Sequence, residues 1–240
     1  MKSTDREKVN FSFEDFEKGL MLAGYLMPKT VEEILEREAV NSLENSDKQS
    51  LQNVYFKRVV LAAEIAFKLN QEPSLGRVKF QKLVYLCENA AEMHLESRYQ
   101  KQAAGPFDNK FMHTIAKEFK KNKWFDVEKE IKTNYTRYKY TPLENAEGYK
   151  KYYENYFSQQ DHRIQFIIEL FRKKSTDYTE LATTVFACLL ELKSKGSDFI
   201  WQDLLNLFYA WSDKKKRFKE DEIRNSFDWL IENGLVNAID

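Results

Sequence analysis

A single long helical pattern over residues 77–95 constrains the fold of this chain more than any other sequence feature. It follows a breaker cluster at residues 73–76, and its apolar residues recur at helical spacing in two neighbouring rows. A helix with so wide an apolar arc packs against several neighbours at once, so we predict that it lies in the core. The rows are Phe80, Leu83, Val84, Cys87 and Ala91, and beside them Leu86, Ala90 and Met93.

The composition favours a helical protein with one large domain or two small ones. The chain has 240 residues, of which 42% are apolar and 32% are charged, and only seven Gly and four Pro interrupt it. So few breakers are typical of a protein with long helices. We therefore predict a mainly α-helical bundle.

Charge and cysteine usage narrow the possible environments of the chain. Its 38 Lys and Arg balance 38 Asp and Glu, so no global field would hold it on nucleic acid or on an anionic membrane. Cys87 and Cys188 lie in apolar runs and are expected to be buried thiols in a reducing compartment. No apolar run reaches the roughly 18 residues of a membrane span, and the polar N-terminus does not resemble a secretory signal. We expect a cytoplasmic protein that does not contact membranes.

The order of helices and strands follows from periodicity. Residues 124–141 change from helical to alternating spacing, so we predict one small β-hairpin there and no other strands. Asp108 is placed to cap the helix that follows it. The other predicted helices lie at residues 11–24, 30–45, 51–70, 145–157, 161–173, 177–195, 198–212 and 219–233.

Breaker residues divide the chain into three predicted parts. The polar run at residues 45–50 is the clearest linker, so residues 1–50 are expected to form an N-terminal helical arm that could wrap a partner. Residues 51–144 form a helical domain that includes the hairpin. Residues 145–240 form a helical C-terminal subdomain, which is winged-helix-like because its last helix ends at Gly234, where a wing would begin.

The long helix and the turn after it resemble a known family. The segment Lys79-Phe80-Gln81-Lys82-Leu83-Val84-Tyr85-Leu86, followed by Gly105-Pro106, resembles the Panacea antitoxin family over roughly residues 54–142. The segments at 103–108 and 123–125 are similar to a variant found in specificity subunits of type I restriction systems. The resemblance implies that residues 51–144 are a small, mainly helical Panacea-like domain of a bacterial or phage toxin–antitoxin system.

The resemblance also implies a non-enzymatic function. The chain would bind, and neutralise or regulate, a toxin or an anti-phage defence effector through surface complementarity. The alternative is that the polar residues of the helix motif are only the solvated edge of a packed helix. The expected partner contacts are the polar edge of the helix and the following turn: Lys79, Lys82, Gln102, Gly105, Pro106, Phe107 and Asp108.

A second hypothesis is a DNA-associated accessory or specificity subunit of a restriction-modification-type system. Basic residues interleaved with aromatic ones can neutralise and stack on a nucleic-acid strand. The opposing strand of the hairpin and the outer face of the last helix are acidic, which opposes such a contact. The candidate residues are Lys214, Lys215, Lys216 and Arg217 in a loop, and Arg137 and Lys139 on the second strand.

No catalytic or metal-binding constellation stands out in the sequence. Glu130-Ile131-Lys132, with Asp108 or Asp126, imitates the acid-x-Lys element of a metal-dependent nuclease, but a lone hairpin gives its carboxylates little to converge on. The three histidines have no Cys or His at ligand spacing. We predict no enzymatic activity, no cofactor and no metal, and keep a nuclease as the third hypothesis.

Overall fold

The computed structural model describes residues 53–93, 95, 99–131, 136–196 and 200–236, with Arg137 described by its backbone alone. The chain divides into two compact units, Met1–Gln52 and Asn53–Asp240, and every described residue belongs to the second. The predicted arm at residues 1–50, with its helices at 11–24 and 30–45, lies outside the described residues.

The described residues form a mainly α-helical fold with short antiparallel hairpins, which confirms the predicted fold class. A short 3₁₀ turn, Asp213–Arg217, lies between the last two helices. In chain order the elements are α1 (53–69), α2 (Arg77–Ala90), β1 (Gln100–Gln102), β2 (Gly105–Phe107), α3 (Asn109–Lys121), β3 (Phe125–Ile131), β4 (Thr136–Pro142), α4 (Lys150–Phe157), α5 (Asp161–Arg172), α6 (Thr176–Lys195), α7 (Trp201–Ala210) and α8 (Glu220–Glu232).

The two hairpins differ in how well the sequence indicates them. The predicted hairpin is β3–β4, paired from Phe125 with Pro142 to Ile131 with Thr136. The β1–β2 hairpin corrects the expectation that the chain has no other strands, and it pairs Gln100 with Phe107 and Gln102 with Gly105. It escaped prediction because β1 is three exposed polar residues, without the alternation that identifies a strand.

Helix α2 is the predicted core helix, and it packs against α5 and α6. Every residue from Lys79 to Glu88 is buried, including five of the predicted core residues. The helix ends at Ala90 rather than near residue 95, and the predicted core residues Ala90, Ala91 and Met93 are only partly buried. The ring of Phe80 stacks on Tyr140 of β4 at 4.6 Å and meets Phe119 of α3 edge-on at 6.4 Å. These ring contacts fix the base of the β3–β4 hairpin against α2.

The ends of the helices follow the local chemistry of the sequence. Asp108 caps α3 as predicted, because its Oδ1 accepts a hydrogen bond from the Phe111 N–H at 2.9 Å. Gly196 ends α6 with a φ of 65°, a left-handed conformation that glycine adopts readily. Helix α4 begins at Lys150, later than predicted, because residues 144–149 form turns.

The C-terminal part is helical as predicted, and α6 packs against both α7 and α8. Helix α8 ends just before Gly234, whose φ is 59°. A wing after Val236 would lie outside the described residues. Both cysteines are buried and unpaired, and burial raises the pKa of both thiols, that of Cys188 to about 12. None of the described helices is long and apolar enough to span a bilayer.

We predict that Phe80→Ala lowers the free energy of unfolding by about 3–5 kcal/mol, because it leaves a cavity between α2, α3 and β4. Urea denaturation measures this change. Ile131→Ala is the matched control, since Ile131 is 79% exposed and its loss should change stability by less than about 0.5 kcal/mol. A loss below about 1 kcal/mol for Phe80→Ala would contradict this account of the core.

Candidate functional site

The turn between β1 and β2 is fixed to the body of the protein from several sides. Three of its backbone carbonyls accept hydrogen bonds from side chains of distant elements, two in the segment after α7 and one on α2. The bonds run from Trp211 Nε1 to the Gln102 carbonyl at 2.9 Å, from Ser212 Oγ to the Ala103 carbonyl at 3.2 Å, and from Lys82 Nζ to the Pro106 carbonyl at 2.5 Å.

Gly105 permits the close approach of this turn to α2 and α6. Its φ is 99°, a backbone conformation that residues other than glycine rarely adopt. A Cβ added to it would lie 2.8 Å from Thr184 Oγ1 and 3.3 Å from Lys82 Nζ. The Gly-Pro turn is therefore buried and packed on the helices, so Gly105 and Pro106, both predicted partner contacts, offer little accessible surface.

A buried ion pair lies behind the turn. Lys215 Nζ donates to Glu180 Oε1 at 2.8 Å and to Thr184 Oγ1 at 2.9 Å, and the Lys215 side chain is fully buried. Arg217 reaches the same Glu180 carboxylate at 3.4 Å. Burial lowers the pKa of Lys215, and the Glu180 carboxylate opposes that shift.

Lys82 is a buried amine whose environment disfavours its charge. The pKa of Lys82 is lowered to about 7, chiefly by burial and in addition by the nearby positive charge of Lys215, while Glu180 opposes both effects. Only 1% of Lys82 is exposed. Its role in the fold is to hold the Pro106 carbonyl against α2.

Lys79 is a second buried amine on α2 that donates to backbone carbonyls, in this case at the end of α5. Its amine donates to the Arg172 carbonyl at 2.9 Å, the Lys174 carbonyl at 2.6 Å and Ser74 Oγ at 2.7 Å, so it satisfies carbonyls at the C-terminal end of α5. Burial lowers the pKa of Lys79 to about 8. The prediction that Lys79 and Lys82 form an exposed polar edge of the motif helix is therefore wrong, and Gln81 of the motif is buried as well.

Asp108 is also buried, in a second ion-pair cluster. Arg58 Nη1 donates to Asp108 Oδ2 at 2.7 Å, and Arg58 Nε donates to Glu88 Oε1 at 2.6 Å. Burial raises the pKa of Glu88, while the Arg58 charge opposes the shift. Asp108 thus links the start of α3 to α1 and α2.

The exposed part of the predicted partner surface is smaller than expected. Of the seven residues proposed to contact a partner, only Gln102 is exposed and Phe107 is partly buried. Gln102 lies on β1, where Gln100 and Lys101 are exposed as well. Lys101 forms an ion pair with Glu191 at 2.7 Å, which adds a further tie between β1 and α6.

The residues proposed to contact DNA are not brought together as a free basic patch. Lys215 is buried, Lys216 pairs with Asp213 at 2.8 Å, and Arg217 pairs with Asp177 at 3.0 Å. Lys214 is exposed. The loop expectation is corrected to a 3₁₀ turn whose charges are largely neutralised.

The hairpin charges also lie opposite charges of the other sign. In the β3–β4 register Lys139 faces Glu128, and Arg137 faces Glu130. Tyr135, the aromatic residue of that hypothesis, lies outside the described residues. The hairpin therefore offers phosphates a mixed rather than a basic face.

An open cleft of about 500 Å³ lies where α1, α4 and α5 meet. Of its three carboxylates, Glu154 is exposed and the other two have partners within the protein. Glu64 accepts from the Tyr149 hydroxyl at 2.5 Å and from Gln165 Nε2 at 2.7 Å, and Asp161 accepts from the Tyr153 hydroxyl at 2.8 Å. Within the described ranges no group of three or more His, Cys, Asp or Glu could hold a metal ion.

The carboxylates of the acid-x-Lys element do not converge on one site within the described residues. Asp108 is paired with Arg58, and Asp126 lies 3.4 Å from the amine of Lys120. Glu130 lies on β3, opposite Arg137, and Lys132 lies outside the described residues.

Comparison with known proteins does not identify the chain. No protein-family model matches it, and no curated protein matches it significantly. The resemblance of the helix motif and the Gly-Pro turn to the Panacea family thus stays a prediction.

We predict that the stability difference between the wild type and Lys82→Met depends on pH. With a pKa of about 7 in the folded state and an ordinary value near 10.5 when unfolded, Lys82 binds more protons in the unfolded state between these values. The free energy of unfolding of the wild type should therefore rise by about 1 kcal/mol relative to that of the variant between pH 7.5 and 8.5. Urea denaturation at both pH values measures this gain.

Lys214→Met is the control for that experiment, because Lys214 is an exposed lysine near the same site. Its stability difference from the wild type should be the same at both pH values. A Lys82→Met difference that is equally flat would show that the Lys82 amine is not buried as described.

We predict that Gly105→Ala destabilises the protein by more than about 2 kcal/mol, since it combines backbone strain with a 2.8 Å contact to Thr184 Oγ1. Gly234→Ala separates the two effects, because its φ of 59° is similarly unfavourable but no atom lies within 4 Å of the added Cβ. It should cost about 1 kcal/mol. Equal losses of thermal stability for the two variants would contradict the close packing of the turn.

Proposed function

We propose that this chain is a non-enzymatic protein-interaction module that binds, and neutralises or regulates, a toxin or an effector of an anti-phage defence system in the bacterial cytoplasm. The assignment to such a system is supported by the resemblance of residues 79–86 and of Gly105-Pro106 to the Panacea family. The assignment to protein binding is supported by the geometry of the β1–β2 hairpin.

The observation that carries the proposal is the way this hairpin is held. Its turn is fixed through three backbone carbonyls, while the side chains of β1 remain exposed. A surface that is already ordered loses little conformational entropy when a partner binds, which favours affinity. The fixed turn therefore presents β1 and the partly buried Phe107 as a ready contact surface.

Charge distribution favours a protein partner over DNA. Three of the four basic side chains of the 3₁₀ turn pair with carboxylates, and Lys139 on β4 lies opposite Glu128 in the strand register. Nucleic-acid binding depends on cations that are free to replace counterions along the backbone. A DNA-associated restriction-type subunit is the competing function, and it predicts binding that weakens steeply as salt rises.

We predict that the tagged chain, expressed in bacteria with its genomic neighbours, retains one stoichiometric protein through a wash at about 0.5 M salt, which screens exposed charges. Gln102→Arg should reduce this retention at least tenfold, because it places a bulky charge on the exposed surface of β1. Quantitative mass spectrometry of the eluted proteins measures the effect.

Gln159→Arg is the matched control, since Gln159 is an exposed glutamine in a turn after α4, and its substitution should leave retention unchanged. Recovery of nucleic acid alone, lost as salt rises, would contradict the proposal and favour the DNA-associated function.

A further inference from the structure

Arg77 is a partly buried cation that has no carboxylate partner within the described part of the chain. Its guanidinium lies 5.6 Å from the ring centre of Phe107 and 5.5 Å from that of Tyr138, so it sits between the two hairpins. Its one polar contact is a long one, 3.4 Å from Nη1 to the Tyr138 hydroxyl, and its Nε is buried without a hydrogen-bond partner.

This arrangement is unusual among the arginines whose side chains are described. Arg58, Arg172 and Arg217 pair with carboxylates, and Arg163 donates to backbone carbonyls. Arg224 lies over the Trp201 ring, but it is exposed to solvent, whereas Arg77 is partly buried. Partial burial of a cation is unfavourable unless an anion or strong acceptors compensate the lost hydration. The aromatic neighbours of Arg77 therefore compensate only part of the hydration that its guanidinium has lost.

Gln81 supplies a second, independent sign of a binding site. It is fully buried, and neither Oε1 nor Nε2 has a hydrogen-bond partner. It lies four residues after Arg77, one turn further along the same face of α2. A buried amide and a buried guanidinium Nε, both without hydrogen-bond partners, thus lie one helical turn apart on α2.

The start of α2 adds a favourable field for an anion. The helix has no side-chain cap at Gly76 and no acidic residue in its first turn. The positive end of its dipole is therefore not compensated by a local carboxylate. A Cβ placed on Gly76 would meet no atom within 4 Å, so the space beside this helix end is open.

We propose that Arg77, supported by Gln81, binds a carboxylate of the protein partner between Phe107 and Tyr138. This inference rests on the proposed function and names the chemistry of the partner at that surface. A planar carboxylate can accept two parallel bonds from one guanidinium, and the two rings match the flat shape of the pair. A nucleic-acid backbone would need a series of free cations, whereas one guanidinium suits a single carboxylate.

The test is a titration of the full chain, labelled with ¹⁵N-arginine, with sodium acetate, while sodium chloride at equal ionic strength serves as the blank. The Nε–Hε signal of Arg77, assigned by its loss in Arg77→Lys, should shift and saturate, with half-saturation on the order of 10 mM acetate. Gln81→Leu should weaken acetate binding at least threefold. Arg224, which lies 3.4 Å over the Trp201 ring, is the control and should not shift saturably.

Three outcomes would overturn the inference: no saturable shift of Arg77 with acetate, the same shift for Arg224, or tighter binding of inorganic phosphate than of acetate. The capture experiment separates this result from the proposed function. Arg77→Gln should reduce partner retention at least tenfold, whereas Arg224→Gln should not. Full retention by Arg77→Gln would refute the carboxylate site alone, and the absence of any captured protein from the wild type would refute the proposed function.

Discussion

The hydrogen bond from the Lys82 amine to the Pro106 carbonyl is the interaction on which the β1–β2 hairpin depends. It crosses from the core helix α2 to the turn, and it does so inside the protein, where burial lowers the pKa of the amine to about 7. Gly105 makes the bond possible because no Cβ separates the turn from Lys82 and Thr184. The Lys215–Glu180 ion pair closes the space behind it.

The motif residues that suggested a binding surface therefore act mainly as internal supports. Lys79 holds the end of α5, Lys82 holds the turn, and Asp108 joins α3 to Arg58. Buried polar groups persist when their hydrogen bonds are made, and each of these groups makes them. We infer that the motif defines the scaffold, and that three neighbouring side chains outside it, the exposed Gln102 and the partly buried Phe107 and Arg77, select the partner.

Periodicity predicted the elements with a strong local pattern, namely the core helix, the longer hairpin and the helical C-terminal part. It misplaced Lys79 and Lys82 because their acceptors are carbonyls on other elements, which no local rule connects to α2. The β1–β2 hairpin was missed because Lys82, Trp211 and Ser212 of other elements hold it, and no pattern within its own sequence indicates those contacts. The run of basic residues from Lys214 to Arg217 suggested a basic patch. Glu180 and Asp177, which lie far away in the sequence, pair with Lys215 and Arg217 and reduce its charge.

The most direct test of this account is the reactivity of individual lysines in the native protein. The folded chain would be treated briefly with an amine-acetylating reagent near pH 8, and the extent of modification at each lysine would be read by mass spectrometry. The account predicts that Lys79, Lys82 and Lys215 are protected at least tenfold relative to the exposed Lys214 and Lys139, and react normally after denaturation. Modification of Lys82 as rapid as that of Lys214 in the native state would contradict it, because the amine could not then be buried against the Gly105–Pro106 turn.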